Sequence, residues 1–495
     1  MRNHRTEWRL FLPALLVLVG PSCSTVGEAT IDESLQKHSL EMAQQLEQSG
    51  ALVDDPELTA YVRSIGERLV EQADAPAVTE FNFAVLNDAS PNAFSIPSGH
   101  IYISRGLLVL LGDEAELAGV LGHEIGHVLK QHSLKQATGQ VAFAPIRVAT
   151  RIAGGLVGLA LPGVGNVVKA TGELPAALTG ASYGRSQENE ADEVGQRLAA
   201  GASWDPIALS RVMDALARQQ TMRGQDPAKT SWFATHPASP DRAARIRGRA
   251  DELSVGASRP VAASPAAFLS KLEGLVVGSS ARNGVFDGSE FLHPELGFAL
   301  RFPAGEDWTQ INTEEAVAVV RKAPVAAVIL GVVAKGDDAL AVARAFEPEA
   351  GKLDAPVRGE TVNGLRTAHA TGGDAGGFGR EPIRASARWI AHGGLVYRIL
   401  SESTESGYAL FAKDFAAAER SFRTLSSADR QRILENRLHI ETARKGETLA
   451  ALLERVGSDW DLEEAAAANG IDSSASFGRG DSVKITRKEP FVSSH

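Results

Sequence analysis

The sequence predicts a multidomain chain: a mainly α first domain with a small β-sheet, then an α+β module, then a C-terminal βααβ unit. Three observations predict it. The chain has 495 residues, 44% of them hydrophobic and 22% charged, several times too long for one core at roughly 100–200 residues per domain. Apolar residues recur at three- and four-residue spacing in the first half, whereas short alternating runs appear between 291 and 425, and these are the periods of helix and strand. Between them, LSVGASRPVAASPAA at 253–267 has the composition of a linker. The formal net charge is −11, from 61 acids against 50 bases, with no long Lys/Arg run. A generally basic nucleic-acid binder is therefore excluded, because phosphate contacts need a basic stripe.

Residues 1–23 read MRNHRTEWRLFLPALLVLVGPSC. Arg2, Arg5 and Arg9 form a positive head, and Leu10–Val19 an apolar run that is too short to span a bilayer but fits an export signal. Gly20-Pro21-Ser22 precedes Cys23, the single cysteine of the chain, so no intrachain disulfide can form. The segment resembles a bacterial lipoprotein signal ending at Cys23, although Gly20 stands where an aliphatic residue is usual. A plain secretory signal is the alternative. The resemblance implies an envelope protein, an outer-membrane lipoprotein held to the membrane by a lipid anchor.

A helical pattern runs from Ile31 to about Asp74, with Leu58, Tyr61, Val62, Ile65 and Leu69 on one face. Residues 81–87 and 100–104 read as strands, and helices follow at 113–135, 186–200 and 206–219. The Gly- and Ala-rich segment 141–182 reads as a cover near a site rather than a membrane hairpin, because Gly, Pro and Asn166 interrupt its apolar run. Domain boundaries follow at 31–250, 251–285 for the linker, 286–427 for the α+β module, and 438–487 for the last unit. In the α+β module, His369 and His392 are isolated and read as structural.

The chemistry concentrates in one motif. Residues 119–128 read GVLGHEIGHV, containing His123-Glu124-x-x-His127. On a helix, positions i and i+4 share a face, so both imidazoles converge on one point. Two imidazoles and a third donor suit Zn²⁺ with a position left open for water, and Glu124 beside them is the general base. Leu117, Val120, Leu121, Ile125 and Val128 make this helix apolar enough to be buried, and buried imidazoles and carboxylates need partners. Downstream, SQENEADEVG at 186–195 puts Glu188 and Asp192 one turn apart, with small Ala191 between them. Glu188 can complete a His₂Glu metal set, and Asp192 can accept the spare N–H of a ligating histidine.

Together with Asn92-Ala93-Phe94, Gly99-His100-Ile101-Tyr102-Ile103, Arg105-Gly106-Leu107-Leu108 and Asp113-Glu114-Ala115-Glu116-Leu117-Ala118, these segments resemble the HtpX-like family of zinc metallopeptidases, in particular its exported BepA-type members. The resemblance covers roughly residues 35–250 and implies a zincin-type peptidase domain, one zinc ion on His123, His127 and Glu188, Glu124 as catalytic base, and Asp192 in a supporting or proton-donor role. Thr235-His236-Pro237 with Arg242 resembles the family's His-Pro segment, in which the histidine is a further site residue that in some members reaches the metal and holds the enzyme shut. A turn that merely ends a loop is the alternative reading of His236. The tetratricopeptide array of BepA-type proteins has no counterpart here, since no such repeat period is visible.

At the C-terminal end, Lys445-Gly446-Glu447-Thr448-Leu449, Asn469-Gly470-Ile471 and Gly480, Val483 and Ile485 resemble the LysM module. That likeness implies a βααβ fold binding N-acetylglucosamine-containing glycans such as peptidoglycan, against a βααβ cap without ligand. The expected function is a zinc endopeptidase of the bacterial cell envelope acting on misfolded or envelope proteins. An extended protein or peptide substrate would lie along strand 99–104. A cell-wall-tethered chaperone or scaffold with a latent peptidase domain is the competing expectation.

Overall fold

The computed structural model describes residues 33–48, 50–74, 80–132, 183–222, 232–236, 240–255, 261–312, 317–346, 352–374 and 381–492. The export segment with Cys23, the expected cover 141–182, and Pro237 lie outside the described residues. Among the described residues, no helix is long and apolar enough to cross a membrane.

The single helical pattern of 31–74 is in fact two helices, α1 (Glu33–Gln48) and α2 (Pro56–Val70). The second starts where Asp55 caps the backbone of Leu58 at 2.9 Å and Pro56 takes the first turn, the position where a missing N–H costs nothing. Strands β1 (Asn82–Leu86), β2 (Ala93–Ser95) and β3 (His100–Ser104) form a sheet in the order β1-β3-β2. β3 pairs in parallel with β1 and antiparallel with β2. It is the central strand, so the expectation that a substrate adds along 99–104 is corrected: β3 has both edges occupied, and β2 is an edge strand of this sheet.

Short α3 (Arg105–Leu110) leads into α4 (Glu114–Leu129), which carries the His-Glu-x-x-His motif and is capped by Asp113 on the backbone of Glu116. The following described helix, α5 (Arg185–Gly201), packs along it. The two backbones touch because small residues line the seam. A Cβ on Gly126 would stand 2.8 Å from the carbonyl oxygen of Ala191, and one on Gly195 would stand 2.7 Å from the backbone nitrogen of His123. Any side chain there would push the helices apart and carry Glu188 and Asp192 away from the histidines.

The α+β module is built on an eight-stranded sheet whose long strands Leu365–Gly373, Ile383–His392, Leu395–Thr404 and Val325–Lys335 pair antiparallel. The helix Glu405–Ser421 covers it with Phe411 and Phe415. His392 lies 3.2 Å from the carbonyl oxygens of Leu296 and Gly297, and His369 bonds Ser386 at 3.0 Å, so both sit in ordinary structural contacts.

The last unit runs strand Leu434–Thr442, helix Leu449–Val456, helix Leu462–Asn469, strand Ser482–Pro490, with its two strands antiparallel. It is not a separate body. The stretch expected to be a linker contains the helix Pro265–Ser270 and the strand Val276–Val277, and that strand pairs with Asn436 and Arg437. Phe268, Leu269, Leu272, Leu275 and Leu438 join the same hydrophobic core as α2 and α4. Lys484, 1% exposed, inserts its ammonium between domains and donates to the carbonyls of Val109 at 2.8 Å and Leu111 at 2.9 Å, at the end of α3. Burial pushes its pKa down to about 7, against the pull of Glu116.

Candidate metal centre and active site

The six residues singled out for metal binding or catalysis come together in one place. His123, Glu124 and His127 come from α4, Glu188 and Asp192 from the first turns of α5, and His236 from the end of the short helix Trp232–Thr235. None of the six is more than 2% exposed. One atom each from His123, His127, Glu188 and His236 lies within 4.8 Å of all the others. His123 Nε2 is 3.0 Å from His127 Nε2 and 3.1 Å from His236 Nδ1. Glu188 Oε1 is 3.1 Å from His236 Nδ1 and 3.4 Å from His127 Nε2. A tetrahedral ion with bonds of about 2.0–2.2 Å sets its donors roughly 3.3–3.6 Å apart, and this cluster has that scale.

The chemistry of the donor set fits a dication. Burial pushes His123 and His127 down to about 4, so both are neutral imidazoles with lone pairs to give. Burial would raise the Glu188 carboxyl, yet His236, His127 and His123 hold it well below the usual range. His236 moves the other way: burial lowers it, but the Glu188 and Glu124 carboxylates beside it prevail and raise it. By formal charge, three buried carboxylates (Glu124, Glu188, Asp192) face one buried guanidinium, Arg242. The pocket is short of positive charge, which a divalent cation would supply.

Five side chains around the cluster have no role that the sequence assigns: Arg242, Ser95, Trp232, Tyr183 and His132. Arg242 donates to Asp192 through Nε at 2.8 Å and Nη2 at 2.7 Å, and pairs closely with Glu188. Asp192, held down to about 2 by Arg242 against the effect of burial, in turn contacts His123 Nδ1 at 2.9 Å. Glu124 stays outside the four-donor set. Its Oε2 accepts from Ser95 Oγ at 3.1 Å, and its Oε1 faces Trp232 Nε1 and His236 Nε2, each at 3.4 Å. Tyr183 stacks on His127 with ring centroids 3.9 Å apart. His132 meets His127 from behind, Nδ1 to Nδ1 at 2.9 Å. The only local signal for His132 was its position five residues after His127. Ser95, Trp232 and Tyr183 carried none, since they are joined to the motif only by chain closure.

Residues 56–250 match peptidase family M48. The chain is 31% identical over 242 residues to the β-barrel assembly-enhancing protease of Escherichia coli K12, covering 48% of each chain. It is 33% identical over 169 residues to the metalloprotease LoiP of the same organism, covering 34% of this chain and 62% of that one. It is 30% identical over 190 residues to the mitochondrial metalloendopeptidase OMA1 of Bos taurus, covering 37% of this chain and 36% of that one. The chain spans about half the length of the first of these relatives.

Proposed function

We propose that this chain, which carries an M48 peptidase domain over residues 56–250, is a zinc-dependent endopeptidase of the bacterial cell envelope that cleaves misfolded or envelope proteins. The observation that carries the reading is the buried cluster of three imidazoles and one carboxylate with a second carboxylate, Glu124, beside it and outside the donor set. His123, His127 and Glu188 would hold the zinc. Bound there, zinc supplies a Lewis acid for the scissile carbonyl and acidifies a water. Glu124, kept in place by Ser95, takes the proton from the attacking water on Oε1 and returns it to the leaving amine. Asp192 fixes the tautomer of His123 by accepting from Nδ1, and Arg242 keeps Asp192 ionised. The edge strand β2, which carries Ser95, offers backbone groups to an extended substrate chain, which suits broad specificity.

His236 decides between an open and a latent enzyme. As a fourth donor it would complete the set that His123, His127 and Glu188 begin and would take the place a water needs. In this reading His236 closes the site, and the chain is a peptidase at rest. The competing reading, a scaffold or chaperone with a permanently closed domain, is favoured by the same contact. One experiment separates them. Cleavage of a casein-type substrate should disappear on chelation and return with zinc, and His236→Ala should raise it severalfold with zinc retained. No cleavage by the zinc-loaded His236→Ala protein would favour the scaffold.

The envelope address rests on the arginine-headed apolar segment before Cys23 and on the LysM-like C-terminal unit. The strand–helix–helix–strand order and the exposed turn Arg444–Gly446 support a glycan-binding role for that unit. Fractionation checks both parts. Cys23→Ser should leave the outer-membrane fraction, while the soluble form beginning after Cys23 should still sediment with purified peptidoglycan; either result failing removes that part.

A further inference from the structure

The two histidines of the motif are held from behind by different chemistry. His123 Nδ1 faces a buried carboxylate, Asp192. His127 Nδ1 faces a third imidazole, His132, at 2.9 Å. His132 is 1% exposed, stands edge-on to His127 with ring centroids 5.0 Å apart, and closes the side of His127 away from His123.

Two ring nitrogens at that distance share one proton, and its owner matters. If His132 donated, the proton of neutral His127 would sit on Nε2, the atom that faces His123 and Glu188. That nitrogen would then have no lone pair for a cation. If His127 donates, its Nε2 is bare and aimed into the cluster, while His132 Nδ1 accepts and its own proton moves to Nε2. A cation on His127 Nε2 requires the second arrangement, since Glu188 Oε1 at 3.4 Å would otherwise favour a proton on that nitrogen, and the far side of His132 suits it. His132 Nε2 lies 3.6 Å from Glu190 Oε2, and a carboxylate there favours a proton on Nε2. Gln187 donates to the carbonyl of His132 at 3.4 Å, tying residue 132 to the start of α5. One helix therefore supplies a cluster carboxylate in Glu188, the partner of His123 in Asp192, a carboxylate beside the His132 ring in Glu190, and a tie to the backbone of residue 132 in Gln187.

We propose that His132 is a positioning residue of the metal centre, acting through His127: by accepting the Nδ1 proton it holds His127 in the one tautomer and ring orientation that present Nε2 to a metal ion. The proposal deepens the metallopeptidase reading and rests on it. Outer partners of this kind alter metal affinity by about 10–100-fold when removed.

The test compares zinc dissociation constants, measured by competition with a chromophoric chelator, for the full chain and three variants. His132→Phe keeps the ring volume and loses the acceptor. His132→Leu loses the acceptor with a smaller apolar group and serves if the Phe variant does not fold. His132→Asn places an amide oxygen near the position of Nδ1 and restores it. Thermal melts and the visible spectrum of the cobalt(II)-substituted protein accompany each variant. The expected result is a 10–100-fold weaker zinc affinity and an altered cobalt spectrum in the folded Phe or Leu variant, with Asn within about threefold of the parent. Parental affinity in the folded Phe or Leu variant overturns the proposal, and so does an equal loss in Asn, which would mark His132 as packing alone. If the parent chain itself binds no zinc, the metal reading falls and this proposal with it; if the parent binds tightly and the variants do not differ, only the role of His132 falls.

Discussion

Glu124→Gln is expected to abolish proteolysis and to leave zinc in place. The substitution keeps size and shape and removes only the ability to take a proton. Oε2 of Glu124 accepts from Ser95, and Oε1 faces Trp232 and His236 at 3.4 Å; a glutamine oxygen can still accept from Ser95. Four other side chains form the donor cluster, so zinc content should match the parent protein. Loss of a positioned general base costs roughly 10²–10⁴-fold in rate, and turnover should fall to the level of the chelated enzyme. Cleavage of a fluorogenic peptide and zinc per chain, measured on the same sample, check the two halves. Unchanged cleavage would falsify Glu124 as the base; lost zinc would mean that the carboxylate helps hold the ion.

The second large effect concerns the junction with the C-terminal unit. Lys484→Met should lower the stability of the whole molecule, not of the last unit alone. The lysine closes the carbonyls of Val109 and Leu111, and Leu111 is two residues before Asp113, the cap of the helix that carries the motif. A methionine fills the space but leaves two buried acceptors without their donor, at roughly 1–3 kcal/mol each. A loss of about 2–6 kcal/mol is expected. Lys488→Met is the control, because its side chain is 59% exposed and its ammonium stands 3.7 Å from Asp459, a contact expected to contribute about 0–1 kcal/mol. Urea titrations of the two variants against the parent decide it, and equal midpoints for Lys484→Met and the parent would refute the clamp. A chain cut before Leu434 should behave worse still, since Phe268, Leu272 and Leu275 would lose Leu438 from their core. Glycan-binding experiments on this protein therefore need substitutions in the exposed turns of the last unit rather than its deletion.

The motif helix, its burial and its pairing with the Glu188–Asp192 helix were legible because each depends on spacing within one turn. His123 and His127 share a face at i and i+4, as do Glu188 and Asp192, and Ala191 marked the seam where α5 meets Gly126. The α+β module was legible for the same reason, from period-two runs that became the antiparallel strands. The region 251–285 was misread because its Pro, Ala and Ser suggest a tether. The informative signal was the apolar spacing of Phe268, Leu269, Leu272 and Leu275, which became buried wall for the first domain. The strand expected to take the substrate was misplaced because a sheet's edges are set by strand order, which pairing across the chain determines and local pattern does not.

What the sequence alone determined is the chemistry available: two imidazoles and a base on one helix, two acids on another, and a histidine before a proline. Tertiary structure decided how those groups are held. Arg242 reaches Asp192 across 50 residues, His132 turns its ring to His127, and Lys484 closes carbonyls 373 and 375 positions away. The physical reason is desolvation. Periodicity tells which side chains face inward, but a buried charge or imidazole must find its partner wherever the folded chain brings one, and that partner has no fixed spacing from which to read it.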